Sequence, residues 1–136
     1  MARVAKTTQQ ITRFSDFDIR FTPHPITGDL LMVTGIQAVV QSVMNLVQLN
    51  HYKIPFHPEI GGNVRKLLFE NVDPITANLL SEEIKNLITN FEPRAQIINV
   101  LVNADVDNNK YGVTIQFYVI NNVAPITVSL FLERLR

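Results

Sequence analysis

The stretch Val113-Thr114-Ile115-Gln116-Phe117-Tyr118-Val119 alternates strictly, with Val113, Ile115, Phe117 and Val119 on one side and Thr114, Gln116 and Tyr118 on the other. Side chains on an extended chain point alternately to opposite faces, so this period of two predicts a strand with one buried face. The next apolar run repeats the pattern, with Ile126, Val128, Leu130 and Leu132 facing one way and Thr127, Ser129, Phe131 and Glu133 the other. Polar turns at Asp107-Asn108-Asn109-Lys110 and at Asn121-Asn122 before Pro125 bound the middle strand, which predicts an antiparallel meander of three strands. Its first strand is less regular. Arg94 and Gln96 are polar at even positions, whereas Asn99, Asn103 and Asp105 are polar at odd ones. A one-residue slip reverses every face, so a bulge or sharp bend is expected near Ile97-Ile98.

Upstream the period changes to that of a helix. Asp73 followed by Pro74 is a helix-start signal, and Ile75, Leu79, Leu80, Ile84, Leu87 and Ile88 form the expected buried stripe of a helix ending near Phe91. A second helix is expected from an N-cap at Thr34 to about Asn50, burying Ile36, Val39, Val40, Val43, Met44 and Val47. Between them, Val64 to Glu70 has room for two helical turns. Alternation from Asp16 sets Phe17, Ile19 and Phe21 against Asp16, Asp18 and Arg20, as in a short half-buried extended segment that Pro23 and Pro25 stop. The expectation is an α+β fold in a single domain, with helices packed on one face of an antiparallel sheet of three strands or slightly more. Residues 1–13 lack either period and are expected to be a mobile arm, leaving 14–136 as the domain.

Composition narrows the function. Apolar residues make up 46% of the 136 and charged ones 18%, enough for one core and too few residues for two. Twelve basic residues balance twelve acidic ones, with no basic run, which argues against a nucleic-acid partner. The polar opening from Met1 to Ile11, and the lack of any run of roughly 20 apolar residues, predict neither signal-peptide export nor a membrane span. Without cysteine there are no disulfides or thiolate metal sites, which suits a reducing compartment.

No catalytic signature stands out. There is no G-x-S-x-G, H-E-x-x-H or phosphate loop. His51, His57 and Glu59 have no metal-ligand spacing, and neither a metal nor a cofactor is implied. Glu82-Glu83 and Glu59 with Glu92 are formal candidates for a glycosidase pair, but adjacent carboxylates on a helix diverge. The junction Phe91-Glu92-Pro93-Arg94 carries more information. Pro93 disfavours helical backbone at Glu92. If Arg94 begins the strand, Glu92 and Arg94 project to one side as a stiffly held carboxylate and guanidinium. Two readings stand side by side: a docking point for another protein, or an internal ion pair at the helix end. Leu101, Tyr118 and Phe131, apolar on the outer sheet face, form a second candidate surface. The last strand, Ile126 to Arg136, is expected to be an edge open to pairing unless Glu133, Arg134 and Arg136 discourage it.

Three blocks in order carry a resemblance: Pro55-Phe56-His57-Pro58-Glu59-Ile60-Gly61; Leu68-Phe69-Glu70-Asn71 with Pro74 and Thr76-Ala77; and Asn90-Phe91-Glu92-Pro93-Arg94. Over roughly Asp16 to Ile120 the chain resembles the small baseplate wedge proteins of contractile phage tails, a family that includes the TssE component of type VI secretion systems. The resemblance implies a structural, non-enzymatic protein of the virion's inner tail baseplate. It would assemble in the host cytoplasm into a ring-shaped hetero-oligomer, dock on the core bundle of other wedge proteins and initiate the tail sheath. It gives Glu92, Pro93 and Arg94 the attachment role and the sheet edge a strand-exchange partner in the sheath protein. The lysozyme-like label once attached to the family leaves peptidoglycan hydrolysis as the alternative.

Overall fold

A computed structural model describes residues 14–135. The arm expected over residues 1–13 lies outside the described residues, as does Arg136. Two short strands come first, β1 (Ser15–Phe17) and β2 (Met32–Thr34), paired antiparallel. Helices α1 (Ile36–Gln48), α2 (Val64–Leu67) and α3 (Pro74–Phe91) follow, and then β3 (Ala95–Asp105), β4 (Lys110–Val119) and β5 (Ile126–Glu133). The last three form the antiparallel meander in the order β3-β4-β5, with α3 packed against it.

Helix α3 starts where its sequence signals. The Asp73 side chain accepts a hydrogen bond from the Thr76 amide at 2.7 Å, and Pro74 occupies the first helical position, where its missing N–H costs nothing. Leu80, Ile84, Leu87 and Ile88 are buried, each gaining about 1.5–3 kcal/mol from removal of its side chain from water. Ile75 and Leu79 depart from the expected stripe. Ile75 is 73% exposed, and Thr76 and Ala77 take the inner positions of the first turn instead. Helix α1 lacks the expected Thr34 cap. Thr34 is spent on β2, and Gly35 at φ 67° makes the sharp turn from strand to helix with no side-chain cap. Within α1, Ala38 and Leu46 join the buried set while Ile36 stays at the surface.

The sheet follows its alternation. Val113, Ile115, Phe117 and Val119 of β4 and Val128, Leu130 and Leu132 of β5 are buried on the helix side. In β3 the register shifts between Ile97 and Asn99, leaving Ile98 as the extra residue of a bulge. The N-terminal segment is less buried than its alternation predicts. Phe17, Ile19 and Phe21 are exposed, because β1 pairs only with three-residue β2 and no apolar layer covers that side among the described residues. Val64 to Glu70 forms one turn of helix, with Phe69 exposed beyond it.

Candidate functional site

The corner after α3 is built from a helix stop. Glu92 caps the helix, its amide donating to the Ile88 carbonyl at 2.8 Å, with backbone at φ −127° and ψ 78°. The chain then turns instead of running straight into the strand: the Ala95 amide donates to the Glu92 carbonyl at 3.1 Å, and β3 begins at Ala95 and not at Arg94. Proline, with φ held near −65°, suits the second position of such a turn.

The turn brings the two charged side chains together, but not as a pair facing outward. Glu92 is 2% exposed. Arg94 donates to it through Nε to Oε1 at 2.6 Å and through a terminal nitrogen to Oε2 at 2.8 Å, and Ser42 Oγ of α1 donates to Oε2. The outer side of the guanidinium donates to the Asp16 carboxylate of β1 at 3.2 and 3.4 Å. Phe14 places its ring 5.5 Å from the guanidinium carbon. The open presentation expected of Glu92 is therefore corrected. Its carboxylate belongs to an internal network joining α3, α1 and β1, because an anion buried at a helix C-terminus requires opposing donors. The Arg94 side-chain donors go to the carboxylates of Glu92 and Asp16. Pro93 is exposed and Arg94 partly so.

The electrostatics follow from this geometry. Burial pushes the Glu92 carboxyl up, but hydrogen bonds from Arg94 and then Ser42, with the Arg94 charge, outweigh it and hold the group below the usual glutamate range. The Glu92 hydrogen bond in turn raises Arg94, which stays protonated.

The outer sheet face carries Leu101, Tyr118 and Phe131, all exposed. Leu101 pairs with Thr114, Phe131 with Gly112 and Tyr118 with Gln96. Leu101 and Phe131 thus flank one end of β4, and Tyr118 lies at its other end, so the trio shares a face without forming one cluster. Lys110 Nζ stands 5.2 Å from the Phe131 ring centre.

No family model matches the chain. One curated relative is baseplate wedge protein gp25 of Enterobacteria phage T4, 31% identical over 94 residues that span 69% of this chain and 71% of that protein. The chain belongs to the gp25 baseplate wedge family. Two solved structures share the fold. A chain of the anti-feeding prophage baseplate matches with a TM-score of 0.72 and 23% identity, covering 82% of this chain and 90% of that one. A crystal structure named for a tail lysozyme from Geobacter sulfurreducens matches with a TM-score of 0.67 and 14% identity, covering 74% and 91%.

In this gp25-family chain the other candidate acids have structural surroundings. Glu83 accepts from the Asn63 amide at 2.8 Å at the start of α2, while Glu82 points to solvent. Glu59 bonds His57 at 3.1 Å at the surface, and its own backbone amide followed by His57 holds its pKa low. Among the described residues no group of three His, Asp or Glu could hold a metal ion, and no helix is long and apolar enough to cross a membrane. Asp16, Ser42 and Phe14 are the network members that sequence reasoning missed. Asp16 lies 78 residues from Arg94 and Ser42 lies 50 from Glu92, so no local spacing connects them. The one available signal is Ser42, a small polar residue beside the apolar stripe of α1.

Proposed function

We propose that this chain is a structural component of the inner baseplate of a contractile tail, docking on the core bundle of the other wedge proteins and initiating the tail sheath. The observation that carries the reading is the 31% identity over 94 residues to the T4 baseplate wedge protein. Residues 14–136 would be the wedge domain within a ring-shaped hetero-oligomer, assembled in the host cytoplasm and carried in the virion's tail baseplate. Neither nucleic acid nor membrane is a partner in this reading.

Two features support it. Strand β5 is an edge, and among the described residues no hydrogen bond from outside the meander reaches Ile126–Glu133, so its open side suits an added strand from a sheath subunit. Arg134 does not guard that edge. It has left the strand, with its amide on the Asn109 carbonyl and its guanidinium on Asn71. At the Glu92-Pro93-Arg94 corner, contact with the core bundle falls to the exposed Pro93 ring and to the part of the Arg94 side chain that stays open to solvent beside its bonds to Glu92 and Asp16.

The test is complementation of a deletion of the gene that encodes the chain. The wild-type chain is expected to restore sheathed tails, and a Thr127→Lys, Ser129→Lys variant to restore baseplates without sheath. These two side chains point away from the core, and edge lysines discourage strand addition. Sheathed tails in the deletion itself would overturn the reading. The lysozyme alternative needs a general acid with a raised pKa, whereas Glu59 and Glu92 are both lowered. Release of muropeptides by the purified protein, lost in Glu59→Gln, would establish it instead.

A further inference from the structure

Between α1 and α2, the loop from Asn50 to Gly62 holds two aromatic residues in left-handed backbone, Tyr52 at φ 66° and Phe56 at φ 67°. Bulky side chains disfavour this conformation, because Cβ crowds the backbone there. Packing among the described residues does not offset it, because Tyr52 is 84% exposed and Phe56 96%. The loop is nevertheless well held. The Tyr52 amide donates to the Pro58 carbonyl at 3.2 Å, the His57 amide to Ile54 at 3.3 Å and the Gly62 amide to Leu49 at 3.1 Å. Gly61 at φ 135° lets the returning strand close on Asn50, where an added Cβ would lie 2.6 Å from the Asn50 carbonyl carbon.

Beside this loop runs a groove of about 980 Å³, with Tyr52, Lys53, Glu59, Arg65, Lys66 and Phe69 in its lining. Three cations there face one carboxylate, and Glu59 is already engaged by His57. Among the described residues, none of Lys53, Arg65 and Lys66 lies within 4.0 Å of a carboxylate. The groove thus combines unpaired positive charge with exposed aromatic rings on a rigid frame. It shares no residue with the Glu92-Arg94 corner or with β5.

We infer that this groove docks an acidic segment of a partner protein, its carboxylates on Lys53, Arg65 and Lys66 and an apolar anchor against Tyr52 and Phe69. Charge complementarity selects the occupant. Exposed aromatics supply contact area at little rotamer cost, and a cationic rim steers an acidic chain toward it. A nucleic acid would need a longer basic track than three side chains in a chain of balanced charge.

The experiment titrates the full chain with a fluorescein-labelled peptide of Asp and Glu around a central Leu-Trp pair. Its counterpart with Asn and Gln, and an oligo-dT, serve as comparisons. The acidic peptide is expected to bind about tenfold or more tighter than the amide peptide, with affinity falling as salt screens the charges. Combined Lys53→Glu, Arg65→Glu and Lys66→Glu should cancel the preference with an unchanged circular dichroism spectrum, since all three side chains are exposed. Single Lys66→Glu should weaken it. Absence of acidic-peptide binding, equal binding of both peptides, binding unmoved by the triple reversal, or tighter binding of oligo-dT would overturn the inference. The isolated protein suffices, so the outcome is independent of whether the chain builds baseplates.

Discussion

Arg94 grips Glu92, two residues before it, with two hydrogen bonds of 2.6 and 2.8 Å, and so closes a buried carboxylate into the corner where α3 gives way to β3. The same guanidinium reaches Asp16 on β1, so one side chain ties β1 to the end of α3. A motif expected to serve a partner therefore serves the fold, and experiments on it have to separate this role from the proposed docking.

Arg94→Ala leaves Glu92 buried and charged without its main donor. The expected loss is about 3 kcal/mol, the lower end for removing one partner of a buried pair, because Arg94 keeps some contact with water. Urea unfolding followed by circular dichroism measures it, and a midpoint equal to wild type would show that the pair is dispensable. Replacing both, as Glu92→Met with Arg94→Met, should recover much of the loss, since no unpaired charge remains buried. Failure of that folded double variant to enter baseplates would assign a docking role to the charges.

The network also predicts the acid limb of stability. Glu92 has a folded pKa below its unfolded value of about 4.3, so its contribution is complete above that value and is lost as pH falls through the lower folded value. Stability should drop below about pH 4.3, and Glu92→Gln, though less stable at neutral pH, should show a shallower fall there. Parallel acid limbs for the two proteins would contradict the assignment.

Asp73→Ala removes the side-chain acceptor for the Thr76 amide at the start of α3. The expected cost is about 1 kcal/mol, the usual value of an N-cap. Asp73→Asn, which keeps an acceptor, should cost less. Thermal unfolding of the pair against wild type distinguishes capping from a general charge effect.

The cap, the bulge and the meander were legible in the sequence because each rests on neighbours a few residues apart: Asp73 with Thr76, Ile97 with Asn99, Val113 with Ile115. The N-terminal pairing was not, since β1 and β2 have three residues each and the apolar alternation of Phe17, Ile19 and Phe21 gives no sign that they stay exposed. The site was half legible. Pro93 announced the helix stop and Arg94 the partner of Glu92, yet the inward turn of the carboxylate depends on Ser42 and Asp16, which only the tertiary fold brings near.

Gly61→Ala tests the loop that frames the cationic groove without altering any charge in it. A Cβ there would meet three backbone atoms of Asn50 and His51 at 2.6–2.7 Å, and the φ of 135° is itself unfavourable for alanine. Backbone cannot give way as a side-chain tip can, so a loss of about 2 kcal/mol or more is expected. Hydrogen exchange should locate the loosening at the Tyr52 and Gly62 amides, which bond across the loop.

Deleting Ile98 probes the bulge. In β3, Ala95 and Val100 are both buried although they differ in parity, which an unbroken strand cannot achieve. The extra residue absorbs the mismatch. Its removal forces a choice: keep Val100, Val102 and Ala104 inward and rotate Ala95 out, or hold the Glu92-Arg94 corner and turn the far half of β3 over. The first option is expected, because the register from Asn99 to Asp105 against β4 spans more pairs than the one from Ala95 to Ile97. The damage should then concentrate at the Glu92-Arg94 network. Combining the deletion with Arg94→Ala should therefore cost clearly less than the sum of the separate losses, as for changes that share one set of partners. Additive losses in urea unfolding would show that the bulge and the ion pair act independently.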